Sequence, residues 1–234
     1  MIVVDDEKRK DFVSVLREDL RQYTPCAIQE ELGAAYEGVI RHQRVFALRA
    51  LRTEDTRLSY LIRALMLGDY LTEEEQRYAF PCVIGSNYAD MLFAEDGQAL
   101  YQIHAHLLPR HLRSKGKADY VLIASDWGEI LGRSLDEHYV MPVSGATRSL
   151  MGLVQYKEGQ KVLDIGTGNG IHAIIAALNE AHVVATDVSD DALQYAKMNA
   201  ELAGVCIDFR KGSVYEPVDG MRFDVIVSNP PFVI

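Results

Sequence analysis

Apolar side chains recur along this chain with two rhythms, and the rhythm changes part-way. Over the first third they return every three to four residues. Phe12, Val15, Leu16 and Leu20 predict a helix over residues 8–23, with Pro25 following its stop. Val39, Ile40, Phe46, Ala47, Ala50 and Leu51 line one side of a predicted helix over residues 34–52, and Arg41, Arg44, Arg49 and Arg52 gather on the other. A third helix is expected over residues 58–67, ended by Gly68. Thr72 followed by Glu73, Glu74 and Glu75 reads as the capped start of a short fourth, stopped before Pro81. Strand signals then begin at residues 91–93, turn at Glu95-Asp96-Gly97, and resume over residues 99–108 and 120–123, with Lys115-Gly116-Lys117 as the second turn. After a linker over residues 136–149, marked by Pro142 and Gly145, strands and helices alternate to the end. That alternation is the sign of a parallel, doubly wound α/β sheet. The expected organisation is a mainly helical domain with a β-ribbon, winged-helix-like, over residues 1–135, and an α/β domain over residues 136–234.

The first strand of the α/β part, residues 162–165, runs into Gly166-Thr167-Gly168-Asn169-Gly170 and then a helix from Ile171. Glycines at such a turn let the backbone reverse sharply and approach a ligand without a Cβ in the way. A nicotinamide fingerprint wants its third glycine three residues after the second, where this chain has Ile171. It also asks for no acid two residues before the first, where this chain has Asp164. Asp187 ends the next strand. A carboxylate there can accept from both hydroxyls of a ribose, the competing role being the N-cap of the helix over residues 189–203. Gly212-Ser213 follow the third strand, and Asn229-Pro230-Pro231-Phe232 follow the fourth, residues 223–228.

Taken in order, Asp164-x-Gly166-x-Gly168-x-Gly170, Asp187 and Asn229-Pro230-Pro231-Phe232 resemble the site of Rossmann-like (class I) S-adenosylmethionine-dependent methyltransferases. The type is the small-domain one, similar to release-factor glutamine N5-methyltransferases and rRNA guanine N2-methyltransferases, and the resemblance covers residues 138–234. It implies S-adenosyl-L-methionine as cofactor, held by Asp164, Gly166, Thr167, Gly168, Gly170, Asp187, Val188 and Ser213, with Asn229 adjoining. Ser213 stands where many relatives put an acid for the adenine amino group. The resemblance makes Asn229, Pro230 and Phe232 the catalytic residues. The side-chain oxygen of Asn229 and the main-chain carbonyl of Pro230 would accept hydrogen bonds from the target amino group, and Phe232 would stack on its plane. An amide or aryl amine nitrogen delocalises its lone pair, so orienting it and stabilising the charge that develops on it are what such a site must do. No metal is required. The segment over residues 138–153 would close over the methionine end, which makes Ser144 and Thr147 candidate contacts.

Composition adjusts this picture. With 48% hydrophobic and 25% charged residues the chain can bury an ordinary core. Residues 1–117 carry 16 basic and 18 acidic side chains, and residues 118–234 carry 8 and 16. The acidic balance disfavours non-specific binding to phosphate backbones and points to a protein glutamine as methyl acceptor. A winged-helix-like domain points to an rRNA or DNA base, and both substrates stay open. Cys26, Cys82 and Cys206 are odd in number and far apart, as expected of reduced thiols in a cytoplasmic protein. No secretory signal or long apolar run is visible. His104, His106 and His111 lack a completing cysteine or acid, so no metal is expected there. Val225, Ile226 and Val227 show no polar alternation, as in a strand covered on both faces. Ending at Ile234 would leave that strand an open apolar edge. The natural protein is therefore expected to continue by roughly another 80–150 residues. The reading from another class is a non-catalytic cofactor-binding or interaction fragment.

Overall fold

A computed structural model describes residues 5–33, 36, 44–112, 119–131 and 138–229. The chain forms two compact units, one made of Ile2–Pro109 with Trp127–Ser134, the other of Arg110–Asp126 with Leu135–Ile234.

The first unit is helical, with one small sheet. Helix Asp6–Asp19 starts where the Asp5 carboxylate accepts from the Glu7 and Lys8 N–H groups at 3.1 and 2.9 Å. Phe12, Val13 and Leu16 face the core. Pro25, which follows the stop of the first helix, opens a second one, Pro25–Leu32, with Thr24 as its cap. Proline suits the first helical position because its missing N–H would have no partner there. Of the helix expected over residues 34–52, Arg44–Leu51 is helical, and Arg41 lies outside the described residues. Helices Arg57–Leu65 and Glu73–Ala79 each begin with a reciprocal capping box, Thr56 with Ser59 and Thr72 with Glu75. Residues Ala89–Leu92 form a helical turn rather than the start of a strand. Strands Leu71–Thr72, Leu100–Ile103 and Phe93–Glu95 pair antiparallel in that order.

Buried charges in this unit are paired. The Asp19 carboxylate accepts from Arg57 at 2.8 Å and from the Val83 and Cys82 N–H groups of the short helix Pro81–Ile84 at 2.8 and 3.1 Å, joining three helices. Arg63 bridges Asp69 and Glu75 at 2.9 and 2.8 Å, and Asp69 also takes Arg52. Arg52 and Arg44, which donates to the Gly68 carbonyl, are thus tied to the unit itself. Trp127 is buried, its indole N–H donating to the Ile103 carbonyl at 2.8 Å and its ring stacked on His106.

The chain passes into the second unit within strand His106–His111, which forms a two-stranded ribbon with Tyr120–Ser125. The second unit holds a four-stranded parallel sheet in the order Asp208–Lys211, His182–Asp187, Lys161–Ile165, Val225–Ser228. On one face Val162, Val183 and Ala185 meet Ala173 and Ala176 of helix Ile171–Leu178. On the other, Leu163 and Val184 meet Val218. Strand Val225–Ser228 pairs, among the described residues, with Lys161–Ile165 alone, and its Ile226 is 50% exposed while Val227 is buried.

Two departures from the sequence expectation matter for the site. Strand Tyr120–Ser125, expected with the N-terminal domain, packs in this second unit. Its Val121 and Ile123 join Ile171, Ile174, Ala200 and Val143 in one apolar cluster. The segment expected as a linker over residues 136–149 runs instead into helix Gly145–Leu153, capped by Ser144.

Sheet order places the site. From Lys161–Ile165 the chain moves outward through His182–Asp187 to Asp208–Lys211, then returns to the opposite flank for Val225–Ser228. The strand order therefore reverses at Lys161–Ile165, and open α/β sheets bind ligands outside the carboxyl ends of the strands at such a reversal.

Candidate functional site

The glycine loop lies at the carboxyl end of strand Lys161–Ile165. Gly166 and Gly168 sit at φ +65° and +55°, in the left-handed region where a side chain is strained, and a Cβ on either would meet open space. They are glycines for conformation, and they leave the loop's outer side clear. Gly170, at φ +84°, does a second job. A Cβ there would lie 3.0 Å from the Ala196 Cβ, so its bareness lets helix Asp190–Ala203 press against the loop.

Two carboxylates hold the loop. Asp164 is beneath it, 1% exposed, and its Oδ2 accepts from the Thr167 hydroxyl at 2.7 Å and from the Ala173 N–H at 3.2 Å. Burial pushes its pKa up to about 6, against the pull of those two hydrogen bonds, with the Asp187 charge adding to the rise. Asp187 closes strand His182–Asp187. Its Oδ2 accepts from the Gly168 N–H at 2.9 Å and its Oδ1 from the Ser189 N–H at 3.0 Å. The cap of the following helix is Ser189, whose hydroxyl accepts from the Ala192 N–H. Each Asp187 oxygen has one partner among these contacts and a second lone pair to offer. Val188, next along, is 64% exposed. Ser213 is exposed beside the same strand end, because the Gly212 N–H donates to the Asp187 carbonyl at 3.0 Å.

Asn229 follows strand Val225–Ser228, on the side of strand Lys161–Ile165 opposite Asp187. The Ser228 hydroxyl donates to the Ile165 carbonyl at 3.0 Å, pinning the strand end to the root of the glycine loop. The Asn229 Nδ2 donates to the Thr147 Oγ1 at 3.1 Å. Pro230 and Phe232 lie outside the described residues. The structure thus gathers the loop, Asp187, Ser213 and Asn229 at the carboxyl ends of the four strands, and puts Asp164 under the loop rather than at its surface.

Three residues that sequence reasoning did not assign complete the frame. Asn169 uses its Nδ2 on the Met141 carbonyl at 2.9 Å and its Oδ1 on the Ile171 N–H at 3.2 Å. Asn199, fully buried, accepts from the Ala124 N–H and donates to the carbonyls of Ala124 and Asn169, all within 2.9 Å. Its signal was a lone amide inside the apolar stripe of Leu193, Ala196 and Ala200. His172, the second residue of its helix, is 4% exposed, and neither ring nitrogen has a hydrogen-bond partner. Burial lowers its pKa to about 4, so the ring is neutral at pH 7. Among the described residues no three histidine, cysteine or acidic side chains lie together as metal ligands, and no helix is long and apolar enough to cross a membrane.

Residues 142–234 match the family described as Methyltransferase small domain, and residues 21–103 match a Domain of unknown function (DUF7059). The chain is 50% identical over 76 residues to a release factor glutamine methyltransferase of Flavobacterium psychrophilum, covering 31% of this chain and 27% of that protein. It is 45% identical over 78 residues to the one of Deinococcus radiodurans, covering 32% and 28%. The chain therefore spans little more than a quarter of the length of these curated relatives. A solved ribosomal protein L11 methylase from Lactobacillus delbrueckii subsp. bulgaricus aligns at 39% identity and TM-score 0.31, over 36% of this chain and 42% of that one.

Proposed function

We propose, from a C-terminal segment that belongs to the class I S-adenosylmethionine-dependent methyltransferases, that this protein is an N-methyltransferase. Its acceptor is a planar amide or exocyclic amine of a macromolecule, in the first instance a protein glutamine. The observation that carries the reading is the shared end of the sheet. The strand order brings the glycine loop, Asp187 and Asn229 to the carboxyl ends of three adjacent strands, with Asp187 and Asn229 on either side of the loop.

In this reading Asp187 presents its free lone pairs to the ribose hydroxyls, and Ser213 meets the adenine edge. The open side of Gly166 and Gly168 admits the amino-acid tail. Bound S-adenosyl-L-methionine supplies an electrophilic methyl on sulfur. Asn229 Oδ1 and the Pro230 carbonyl accept the N–H groups of the target, which draws its lone pair out of conjugation and towards that methyl. Transfer of that methyl would leave the electron pair of the carbon–sulfur bond on sulfur. The positive charge arising on nitrogen is stabilised by the same two oxygens until its proton leaves to water. Phe232 stacks on the planar target. The names of the relatives and the acidic charge balance both support a protein amide over a nucleobase.

Mass spectrometry of bulk protein and RNA from cells with and without the intact gene tests this. A glutamine N-methyl mark lost with the gene is the expected result, and loss of a base methyl instead would transfer the assignment to nucleic acid. Isothermal titration tests the cofactor, with saturable heat expected from S-adenosyl-L-methionine and from its demethylated product. Tight NADH binding with no response to either would overturn the assignment.

A further inference from the structure

Helix Gly145–Leu153 begins with a hydroxyl pair that reaches beyond its own cap. The Thr147 N–H donates to the Ser144 Oγ at 3.2 Å, and the Ser144 N–H donates to the Thr147 Oγ1 at 3.4 Å. The two hydroxyl oxygens are 3.0 Å apart, and the Asn229 Nδ2 donates to the same Thr147 Oγ1 at 3.1 Å. Thr147 is 8% exposed, so water does not compete freely for it.

A hydroxyl has two lone pairs and one proton. At Thr147 both lone pairs receive N–H groups, from Ser144 and from Asn229. Its own proton then goes to the Ser144 Oγ, which closes the circuit. A carboxamide is planar, with its donor and acceptor ends on opposite sides of the same carbon. Holding the Nδ2 of Asn229 on Thr147 therefore turns Oδ1 away from the helix. An unrestrained asparagine can present either end, and the NH2 end would meet a target amine donor to donor.

We infer that Thr147, locked by Ser144, is the positioning residue that makes Asn229 present oxygen to the reacting nitrogen. This rests on the reading of Asn229 as the amine acceptor and goes one step behind it. Thr147, expected from the sequence as a contact for the methionine end, has both lone pairs of its hydroxyl taken by Asn229 and Ser144, and acts here through the amide.

The test uses the full chain and three variants, Thr147→Val, Thr147→Ser and Asn229→Ala. Valine keeps the branched shape and the backbone N–H that bonds Ser144 Oγ, and removes the hydroxyl that serves Asn229 and Ser144. Asparagine side chains labelled with ¹⁵N give an amide signal pair for Asn229, assigned by its loss in Asn229→Ala. Methyl transfer is followed from radiolabelled S-adenosyl-L-methionine to bulk protein and RNA of cells lacking the gene. Titration with S-adenosylhomocysteine controls for an intact cofactor site. Thr147→Val is expected to shift the Asn229 signals and slow transfer by about tenfold or more, with unchanged S-adenosylhomocysteine affinity. Thr147→Ser should retain both signals and rate. The double variant Thr147→Val/Asn229→Ala should be no slower than Asn229→Ala alone. The inference is overturned if Thr147→Val leaves the Asn229 signals in place, or if the two losses simply multiply. Should the wild-type protein label neither fraction, the proposed reaction falls, while the amide signals still decide whether Thr147 holds Asn229.

Discussion

Asp164 and His172 are buried within one strand-loop-helix unit, and their titrations push stability in opposite directions over nearly the same pH range. Asp164 has its folded pKa raised from 3.8 to about 6 by burial. Its favourable neutral form is fully present below pH 3.8, and stability is lost as pH rises through 6. His172 has its folded pKa lowered from 6.5 to about 4, again by burial. Its neutral form is present above pH 6.5, and stability is lost as pH falls through 4. One pKa unit corresponds to about 1.4 kcal/mol, so each group contributes a swing of about 3 kcal/mol. The two swings largely cancel between pH 4 and 6 in the wild-type protein. Single variants separate them. Relative to wild type, His172→Leu should gain about 3 kcal/mol on going from pH 7 to pH 4, because the charge it removes was forced into an apolar site without a partner. Asp164→Asn should do the reverse, gaining about 3 kcal/mol relative to wild type from pH 4 to pH 7. The single tryptophan, Trp127, lies in the other unit, so its fluorescence would report the wrong transition. Hydrogen exchange at the Ala173 amide, which is bonded to Asp164, reads the right one. Parallel wild-type and variant profiles, with no crossing between pH 4 and 7, would refute the reasoning.

Other expectations follow from the same geometry. Asn229→Ala should lower turnover by on the order of 10²-fold or more while cofactor affinity by calorimetry stays nearly constant. Normal turnover would make Asn229 a plain strand exit. Gly170→Ala forces a Cβ against Ala196 and a left-handed backbone, for about 1–3 kcal/mol in urea unfolding. Gly166→Ala meets open space, so its cost should be confined to backbone strain, smaller in unfolding and larger in cofactor titration. Asn199→Leu strands the Ala124 N–H and two carbonyls, and should cost on the order of 3 kcal/mol with earlier proteolysis near residues 120–126. A variant as stable as wild type would mean water replaces the amide.

Much of the α/β part was legible because its signals are local. The apolar run from Ile171 to Leu178 between a glycine and an asparagine gives the observed helix end to end, and Asp187 falls at a strand end as expected. What the sequence hid is of two kinds. Pro25 and Gly145 begin helices yet look like breaks, because proline and glycine stand both in loops and at helix starts until the next turn is seen. The partners of Thr147, Asn169 and Asn199 lie far along the chain, and amide or hydroxyl side chains carry no periodic signal of what they will meet. Asp164 was expected among the cofactor contacts from its place two residues before Gly166. Its depth under the loop depends on the Thr167 and Ala173 bonds, which spacing alone does not fix.

Those hidden residues have a common consequence. The glycine loop must stay open to a ligand on its outer side, so its order has to come from behind. Asp164 holds it through Thr167, and Asp187 through the Gly168 N–H. Asn169 ties it to Met141, and Asn199 ties Asn169 to strand Tyr120–Ser125. Asp126, at the end of that strand, takes the Tyr195 hydroxyl at 2.6 Å and the Val140 N–H at 2.7 Å. The segment from His138 into helix Gly145–Leu153 is thereby fastened to the loop at one end and, through Thr147, to Asn229 at the other. Displacing strand Tyr120–Ser125 would loosen Asn169 and Val140 together. The glycine loop and Asn229 are therefore coupled through this added layer as well as through the sheet. A methyl transfer that needs its acceptor oxygen aligned to within tenths of an ångström requires that kind of support behind the contacting residues.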